Sequence, residues 1–336
     1  MLRPMIAAAS AALGLLATLP ASAECTFKVL PMPVTMIGMR PTVPVEIGGK
    51  ERHFLIDSGS FLNALNVKLT TEPGAALRNQ GTNSLIGADG KTIVMPKVSL
   101  LELEFLGTTF HNATFAVSGR LGSVDGLLGQ PMLGRMDVEY DLRGGVIRLV
   151  KTDGCRGTDM VYWAKPGQAY SRMAMAWSDR GDTHTTGIVF VNGQRMRATF
   201  DTGAPSSFIT EAAAARAGVK VTDPNVVSIG KGGGLDDDFD AWVGTFADVR
   251  VGDETISNAP LEIGRSKARD FDVLLGADFF ASHHVYVSNN QSLIFFAYDG
   301  GPVFRPPQPK TPAPSRPPNG VQASQTQPAP SPGAAP

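Results

Sequence analysis

The sequence predicts a mainly β protein made of two similar lobes in tandem, with a few short helices. Two observations lead to this prediction. A unit of β-run, tight turn and second β-run, ending in Asp-[Ser/Thr]-Gly, occurs twice, and a Leu-Leu-Gly segment follows each copy at a similar distance. Helical periodicity is sparse along the rest of the chain. A repeat of this kind decides the architecture, because each copy is one supersecondary unit.

The first 23 residues have the features of a secretory signal peptide. Arg3 supplies a short positive region, residues 6–19 form an apolar run, and residues 21–23 read Ala-Ser-Ala, which is a typical cleavage site. We therefore expect the mature chain to begin near Glu24 and to be periplasmic or secreted. The apolar run is short for a membrane-spanning helix, and no later run reaches the roughly 18 apolar residues that one needs.

The chain has two cysteines, Cys25 and Cys155. In an oxidising compartment such a pair is more often a structural disulfide than a reactive or metal-binding couple. We predict a disulfide that ties the mature N-terminus to the end of the first lobe.

The repeat also sets the predicted domain boundaries. The segment after the first lobe is polar with scattered aromatic residues, which is typical of a connector, and the Pro-, Ala-, Ser- and Gln-rich C-terminus lacks the large apolar residues that a folded segment buries. The predicted divisions are a signal peptide (1–23), a first lobe (24–151), a connector (152–183), a second lobe (184–300) and a disordered tail (301–336).

Each copy of the repeat begins with a predicted β-hairpin. Its turn is Gly48-Gly49 in the first copy and Asn192-Gly193 in the second, and both pairs are typical of two-residue hairpin turns. The second strand of each hairpin ends at an aspartate, Asp57 or Asp201. The chain therefore presents the same residue at the same point of two similar folding units.

The repeat continues beyond the aspartates. Gly74 and Gly218 each follow the aspartate of their own copy by 17 residues, and each is expected to end a short helix. The clearer helix is the second, where Thr210 caps an Ala-rich run. The Leu-Leu-Gly segments, 127–129 and 274–276, are each followed by another pair of β-runs.

The two aspartates suggest paired-carboxylate chemistry. A single Asp-Ser-Gly or Asp-Thr-Gly is usually only a turn, but two in matching contexts predict that Asp57 and Asp201 face one another as catalytic residues. Two carboxyls within about 3 Å share a proton, so one can act as a base towards a water while the other donates to a carbonyl oxygen. This chemistry requires no metal and no organic cofactor.

The residues that follow each aspartate are candidates for supporting it. Gly59 and Gly203 let the chain turn closely behind the carboxylates, and the hydroxyls of Ser58 and Thr202 can bond across a lobe interface. Ser60 and neighbouring amides can bond the carboxylate oxygens. Ala204 stands at the matching position of the second copy and lacks a hydroxyl, so the halves are not equivalent.

These motifs resemble those of the retropepsin- and pepsin-like aspartic peptidases, over residues 41–298. The family motif corresponds to residues 57–60 and 201–204, and its later apolar-apolar-Gly motif to the two Leu-Leu-Gly segments. The resemblance implies two fused retropepsin-like (acid protease) β-barrel lobes and an aspartic endopeptidase that hydrolyses peptide bonds. It also implies a flap over the substrate, for which Gly87 and Gly90 in one hairpin and Gly232 and Gly233 in another are candidates, although neither candidate contains a tyrosine.

Other classes of function are poorly supported. The 30 basic and 31 acidic residues are mixed along the chain, so no nucleic-acid partner is expected. The five histidines lack metal-ligand spacing, and serine or cysteine nucleophile motifs are missing. We expect a monomer with pseudo-twofold lobes and a peptide or protein substrate. The alternatives are lobes that pair with those of a second chain, and a non-catalytic periplasmic protein that binds peptides in the same cleft.

Overall fold

The computed structural model describes residues 24–86, 92–176, 184–233, 238–266 and 271–307. Strands dominate both halves of this part of the chain. The strands of the first half are β1 (Thr26–Pro33), β2 (Thr35–Ile37), β3 (Arg40–Ile47), β4 (Lys50–Ile56), β5 (Ala64–Asn66), β6 (Leu77–Ile86), β7 (Thr92–Phe105), β8 (Thr108–Ser118), β9 (Gly126–Leu128), β10 (Asp137–Asp141) and β11 (Val146–Asp153).

The second half repeats most of this order. Its strands are β12 (Ser171–Ala174), β13 (Thr186–Val191), β14 (Gln194–Phe200), β15 (Phe208–Thr210), β16 (Val227–Gly233), β17 (Asp238–Val251), β18 (Glu254–Gly264), β19 (Val273–Leu275), β20 (His283–Ser288) and β21 (Leu293–Tyr298). The helices are short: a 3₁₀-helix (Val67–Thr71), α1 (Gln130–Leu133), α2 (Glu211–Arg216) and α3 (Ala277–Ser282). None of them is long and apolar enough to cross a membrane.

Each lobe is a sheet that curls on itself. The first has the strand order β2-β3-β4-β9-β5-β8-β7-β6, with β3 also pairing with β7. The second has the order β13-β14-β19-β15-β18-β17-β16, with β13 also pairing with β17. In both, the strand that carries Leu-Leu-Gly lies between the strand before the aspartate and the strand after it. The predicted fold class, mainly β with two tandem barrel-like lobes, is therefore confirmed.

The local turns follow from the residues that form them. Gly48 and Gly49 have φ of 59° and 74°, and Asn192 and Gly193 have 47° and 74°. Two successive positive φ angles match the twist of a two-residue hairpin, and glycine and asparagine adopt them most readily.

The two predicted helices differ. In the second lobe the Thr210 side chain accepts a hydrogen bond from the Ala213 N–H at 3.2 Å, and α2 ends before Gly218, as predicted. In the first lobe the helix is a 3₁₀ turn that ends well before Gly74, so the prediction that Gly74 ends it is wrong. Gly74 instead lies against the hairpin turn, where its carbonyl oxygen would be 2.6 Å from a Cβ on Gly48.

A third sheet joins the two halves, with the order β1-β11-β10-β20-β21-β12. Its central pair is β10 with β20, one from each half, in antiparallel register. The predicted connector supplies β12, which pairs with β21. A disulfide between Cys25 and Cys155 closes the β1 end of this sheet, next to the pair of Thr26 with Asp153.

Large buried side chains fill the space between the shared sheet and the lobes. The Tyr140 ring from the first half lies 5.0 Å from Phe280, and Phe200 lies 5.8 Å from Phe279, both edge to face. All four side chains are at most 1% exposed. Because buried aromatic rings contribute much of the stabilising apolar area in a core, the halves pack as one body. This packing fixes the loops that carry the two aspartates relative to each other.

Candidate active site

The two Leu-Leu-Gly strands hold the backbone of the two aspartates. The Asp57 N–H donates to the Leu128 carbonyl at 3.0 Å, and the Asp201 N–H donates to the Leu275 carbonyl at 2.8 Å. The glycine that follows each strand has no room for a side chain. A Cβ on Gly129 would lie 2.4 Å from the Leu62 carbonyl oxygen. These contacts give each aspartate a rigid support within its own lobe.

A symmetric set of four hydrogen bonds joins the two aspartate loops. Ser58 Oγ donates to the Phe200 carbonyl at 2.8 Å and accepts from the Thr202 N–H at 3.0 Å. Thr202 Oγ1 donates to the Ile56 carbonyl at 2.7 Å and accepts from the Ser58 N–H at 3.1 Å. Both side chains are fully buried. Since each hydroxyl both donates and accepts, this network satisfies four backbone groups and the two hydroxyls, all of which the lobe interface removes from water.

The network brings Asp57 and Asp201 together, and their carboxyl groups hydrogen-bond to each other. Each carboxyl also lies against the glycine of the other loop. A Cβ on Gly59 would lie 2.2–2.6 Å from the Asp201 carboxyl atoms, and one on Gly203 would lie 2.3–2.5 Å from those of Asp57. Glycine is therefore required at both positions for the two carboxyls to approach each other.

The two carboxyls have different surroundings. Asp201 Oδ1 accepts from the Gly203 and Ala204 N–H groups at 2.8 and 3.2 Å, whereas Asp57 Oδ1 accepts from the Gly59 N–H alone, at 3.0 Å. Burial raises the pKa of both groups, and the neighbouring charge of Asp201 raises the pKa of Asp57 further. Hydrogen bonds from Asp57 and the two amides counteract the rise in the pKa of Asp201. The hydrogen bonds therefore favour the ionised form at Asp201 and the protonated form at Asp57.

The family model described as aspartyl protease matches residues 43–132 and again residues 188–279, one match on each lobe and together more than half of the chain. The chain belongs to the aspartyl protease family. No curated protein matches it significantly.

In this member of the aspartyl protease family, the paired carboxyls open into a cleft between the lobes, with a volume of about 430 Å³. Both aspartates line it. The first-lobe wall combines the apolar side chains of Leu55, Leu121, Val124 and Leu127 with the basic residues Arg40 and Arg120. The second-lobe wall is aromatic and polar and includes Phe208, Phe239, Phe271, Ser206 and Glu262.

Two hairpins occupy the places expected of a protease flap. The hairpin of β16 and β17 contributes Lys231 and Gly232 to the cleft wall, and Gly233 is the last residue of β16. The corresponding hairpin of the first lobe is formed by β6 and β7. Its flap candidates, Gly87 and Gly90, lie outside the described residues.

Two further supports differ between the lobes. The Ser60 hydroxyl donates to the Leu62 carbonyl at 2.9 Å, so the expectation that it bonds a carboxylate oxygen is wrong. In its place Gln130 supports the first loop, because its Nε2 donates to the Ser58 carbonyl at 2.7 Å. Gln130 is buried and follows the Leu-Leu-Gly segment directly, a signal that the sequence offered. The second lobe has Ala277 there.

The sequence reasoning missed two basic residues beside the aspartates. Arg40 and His184 each lie 17 residues before the aspartate of their own lobe, a repeat that would have identified them. The positive charge of Arg40 lowers the pKa of Asp57, and that of His184 lowers the pKa of Asp201. Within the described residues, Arg40 Nε and His184 Nε2 are buried and have no hydrogen-bond partner.

Proposed function

We propose that the chain is an aspartic endopeptidase that hydrolyses peptide bonds with a water activated between Asp57 and Asp201. The observation that carries this proposal is the pair of buried, hydrogen-bonded carboxyls at the floor of the interlobe cleft. Their unequal surroundings supply the two roles that the reaction needs, because a base must be ionised and an acid must hold a proton at the same pH.

The division of roles follows from the hydrogen bonds. Asp201, with two backbone N–H donors, removes a proton from the attacking water. Asp57 holds its proton because of burial and the adjacent charge, and donates it to the oxygen of the scissile carbonyl as the tetrahedral intermediate forms. As the C–N bond of the intermediate breaks, Asp201 gives the proton it took from the water to the leaving nitrogen, and ionised Asp57 takes a proton from a hydroxyl of the intermediate. Two peptides are released, and both carboxyls are back in their starting protonation states.

The substrate is an extended peptide or protein segment. The cleft runs between the two lobes, and the β16–β17 hairpin beside it offers backbone groups to an added strand. The single chain supplies both aspartates, which favours a monomer as the active form. A dimer that exchanges lobes would require the network between Ser58 and Thr202 to form between chains.

We also propose that the mature protein acts in the periplasm or after secretion. The signal-like segment 1–23 and the Cys25–Cys155 disulfide both support an oxidising compartment. Mass measurement of the N-terminus after export, together with a thiol count under denaturing conditions, tests this. A chain that retains residues 1–23 in the cytoplasm with two free thiols would contradict it.

Peptide-library cleavage between acidic and neutral pH tests the enzymatic proposal. The mature protein is compared with Asp57→Asn and with Asp201→Asn, and circular dichroism verifies that each variant is folded. Cleavage by the wild type, lost in both variants, is the expected result. The absence of wild-type cleavage at every pH, together with measurable peptide binding, would instead favour a non-catalytic peptide-binding protein.

A further inference from the structure

The second-lobe wall of the cleft contains a buried carboxyl that the proposed reaction does not use. Glu262 lies on β18 and is 7% exposed. Ser206 Oγ donates to its Oε2 at 3.1 Å. Its other oxygen, Oε1, receives no hydrogen bond from any residue that the structure describes. Both residues line the cleft beside the aspartates.

Glu262 Oε1 faces Gly232, which lies on β16 of the flap-like hairpin. A Cβ on Gly232 would lie 2.8 Å from Glu262 Oε1 and 2.6 Å from the Phe239 ring. Any larger residue at position 232 would therefore cover the carboxyl. Because Gly232 also lines the cleft, the missing side chain leaves Oε1 open to a group that enters from the cleft.

Three aromatic rings line the cleft together with this carboxyl. Phe208 packs against Phe239 and Phe271, with ring centroids 5.8 and 5.7 Å apart. Burial raises the pKa of Glu262, the hydrogen bond from Ser206 opposes the rise, and the charge of Asp278 adds to it. A carboxylate that is buried and only half satisfied is costly, and a cation that contacts it would offset that cost.

The corresponding position in the first lobe has no such group. Glu262 pairs with Phe208 between β18 and β15, and the equivalent pair between β8 and β5 is Ala116 with Ala64. Ala64 belongs to a buried apolar cluster with Leu55, Leu121, Val124 and Leu127, and these four line the cleft. The cleft therefore presents a carboxyl in one lobe and a small apolar surface in the other, at positions related by the repeat.

We propose that Glu262 is a specificity-determining residue that selects a lysine or arginine side chain on the second-lobe side of the scissile bond, opposite an apolar residue in the first lobe. The methylene groups of such a side chain pack on the phenylalanine rings, and its charged end reaches Oε1. Lys231 also lines the cleft, but its Nζ is 2.6 Å from Asp240 Oδ1, so its charge is already paired. The proposal rests on the peptidase function proposed above.

The test uses fluorogenic peptides that differ at one position, with lysine or norleucine there. Norleucine keeps the methylene chain and lacks the ammonium group. The position is scanned over three residues on each side of the bond, and kcat/KM is measured for the wild type and for Glu262→Gln, which keeps the acceptor for Ser206. Glu46→Gln, an exposed glutamate on β3 outside the cleft, is the matched control for lost charge.

At one position we expect wild-type kcat/KM to be at least about tenfold higher for lysine than for norleucine, since only the ammonium group can form a charge-assisted hydrogen bond with Oε1. Glu262→Gln should remove that preference and cleave the norleucine peptide within about twofold of wild type. Glu46→Gln should retain the preference. Equal cleavage of the two peptides by the wild type at every position would overturn the role of Glu262 and leave the peptidase proposal intact.

A failure of the peptidase proposal can be distinguished from a failure of the Glu262 proposal by measuring peptide binding. If the wild type cleaves no peptide, fluorescence anisotropy measures binding of the same labelled peptides to the intact chain. Tighter binding of the lysine peptide, lost in Glu262→Gln and kept in Glu46→Gln, supports the selectivity of Glu262 without catalysis. Equal binding of both peptides by the wild type contradicts it, and that comparison needs no variant.

Discussion

The two lobes have the same backbone plan but different chemistry at matching positions. Each delivers an aspartate from the second strand of a hairpin, supports it with a Leu-Leu-Gly strand and flanks it with a basic residue. They differ in the number of amides that stabilise the carboxylate and in the polarity of the adjacent wall. The symmetry of the fold therefore positions the two carboxyls, whereas departures from symmetry give them unequal hydrogen bonds.

The shared sheet shows how this symmetry is held. Every residue of β20 and most of β10 is buried, because the lobes cover one face of the pair and the connector covers the other with Met160, Tyr162 and Trp163. The disulfide closes the same sheet at one end. The lobes therefore have a common rigid base, which limits their relative motion near the aspartates.

The largest expected effect comes from removing either carboxyl. Asp57→Asn and Asp201→Asn should each lower kcat by at least about a thousandfold, because one loses the acid and the other the base. Single-turnover cleavage of the best library peptide measures the loss. A variant that retains wild-type kcat would show that a single lobe carries the chemistry and would break the paired model.

Removing each of the two hydroxyls that join the aspartate loops tests whether both contribute equally to stability. Ser58→Ala and Thr202→Val each remove two buried hydrogen bonds, so each should lower the free energy of unfolding by about 1–3 kcal/mol and reduce kcat. Urea denaturation gives the stability. The control is Ser60→Ala, whose hydroxyl bonds only within its own turn and for which we expect less than about 1 kcal/mol.

If Ser58→Ala and Ser60→Ala lowered the free energy of unfolding equally, the hydrogen bonds between the loops would contribute no more stability than one within a single turn. If Ser58→Ala lowered the free energy of unfolding and Thr202→Val did not, the two hydroxyls would contribute unequally to stability despite their symmetric geometry.

The two carboxyls should also differ in their effect on stability. The folded-state pKa of Asp57 is raised well above its ordinary value, so this group stabilises the fold at low pH and that contribution is lost as the pH rises. Asp57→Asn should therefore raise Tm at neutral pH, with the gain vanishing below about pH 4, where the unfolded aspartate is also protonated. Asp201→Asn should give a smaller gain, because two amides stabilise its charged form.

Thermal unfolding between pH 3 and 8 provides this comparison. A larger gain for Asp201→Asn would reverse the assignment of the proton within the pair.

The smallest expected effects come from the basic residues beside the pair. Arg40→Gln removes a charge that lowers the pKa of Asp57, so the alkaline limb of the kcat/KM profile should move to higher pH. His184→Gln removes a charge that lowers the pKa of Asp201, so the acid limb should move to higher pH. A shift of the same limb in both variants would show that the two cations act on the pair as a whole.

Much of the fold and of the candidate site was predictable from the sequence, because it depends on local sequence patterns. The hairpin turns, the cap at Thr210 and the Asp-[Ser/Thr]-Gly and Leu-Leu-Gly motifs depend on residues close in sequence. Ser60 shows the limit of such reasoning. Its hydroxyl can reach a carboxylate or a carbonyl of its own turn, and only the folded loop selects the Leu62 carbonyl.

The sequence by itself determined that the chain is a duplicated β unit with one aspartate at the same point of each copy, because a repeat and its turn residues are properties of the chain order. Only the tertiary structure decided that β10 and β20 pair across the halves, that Asp201 receives one more amide than Asp57, and that Glu262 lies in the cleft wall. The strand pairing and the place of Glu262 depend on contacts between residues more than fifty positions apart. The extra amide comes from Ala204, only three residues after Asp201, but whether it reaches the carboxylate depends on the conformation of the folded loop. Neither kind of contact is recorded in a local sequence pattern.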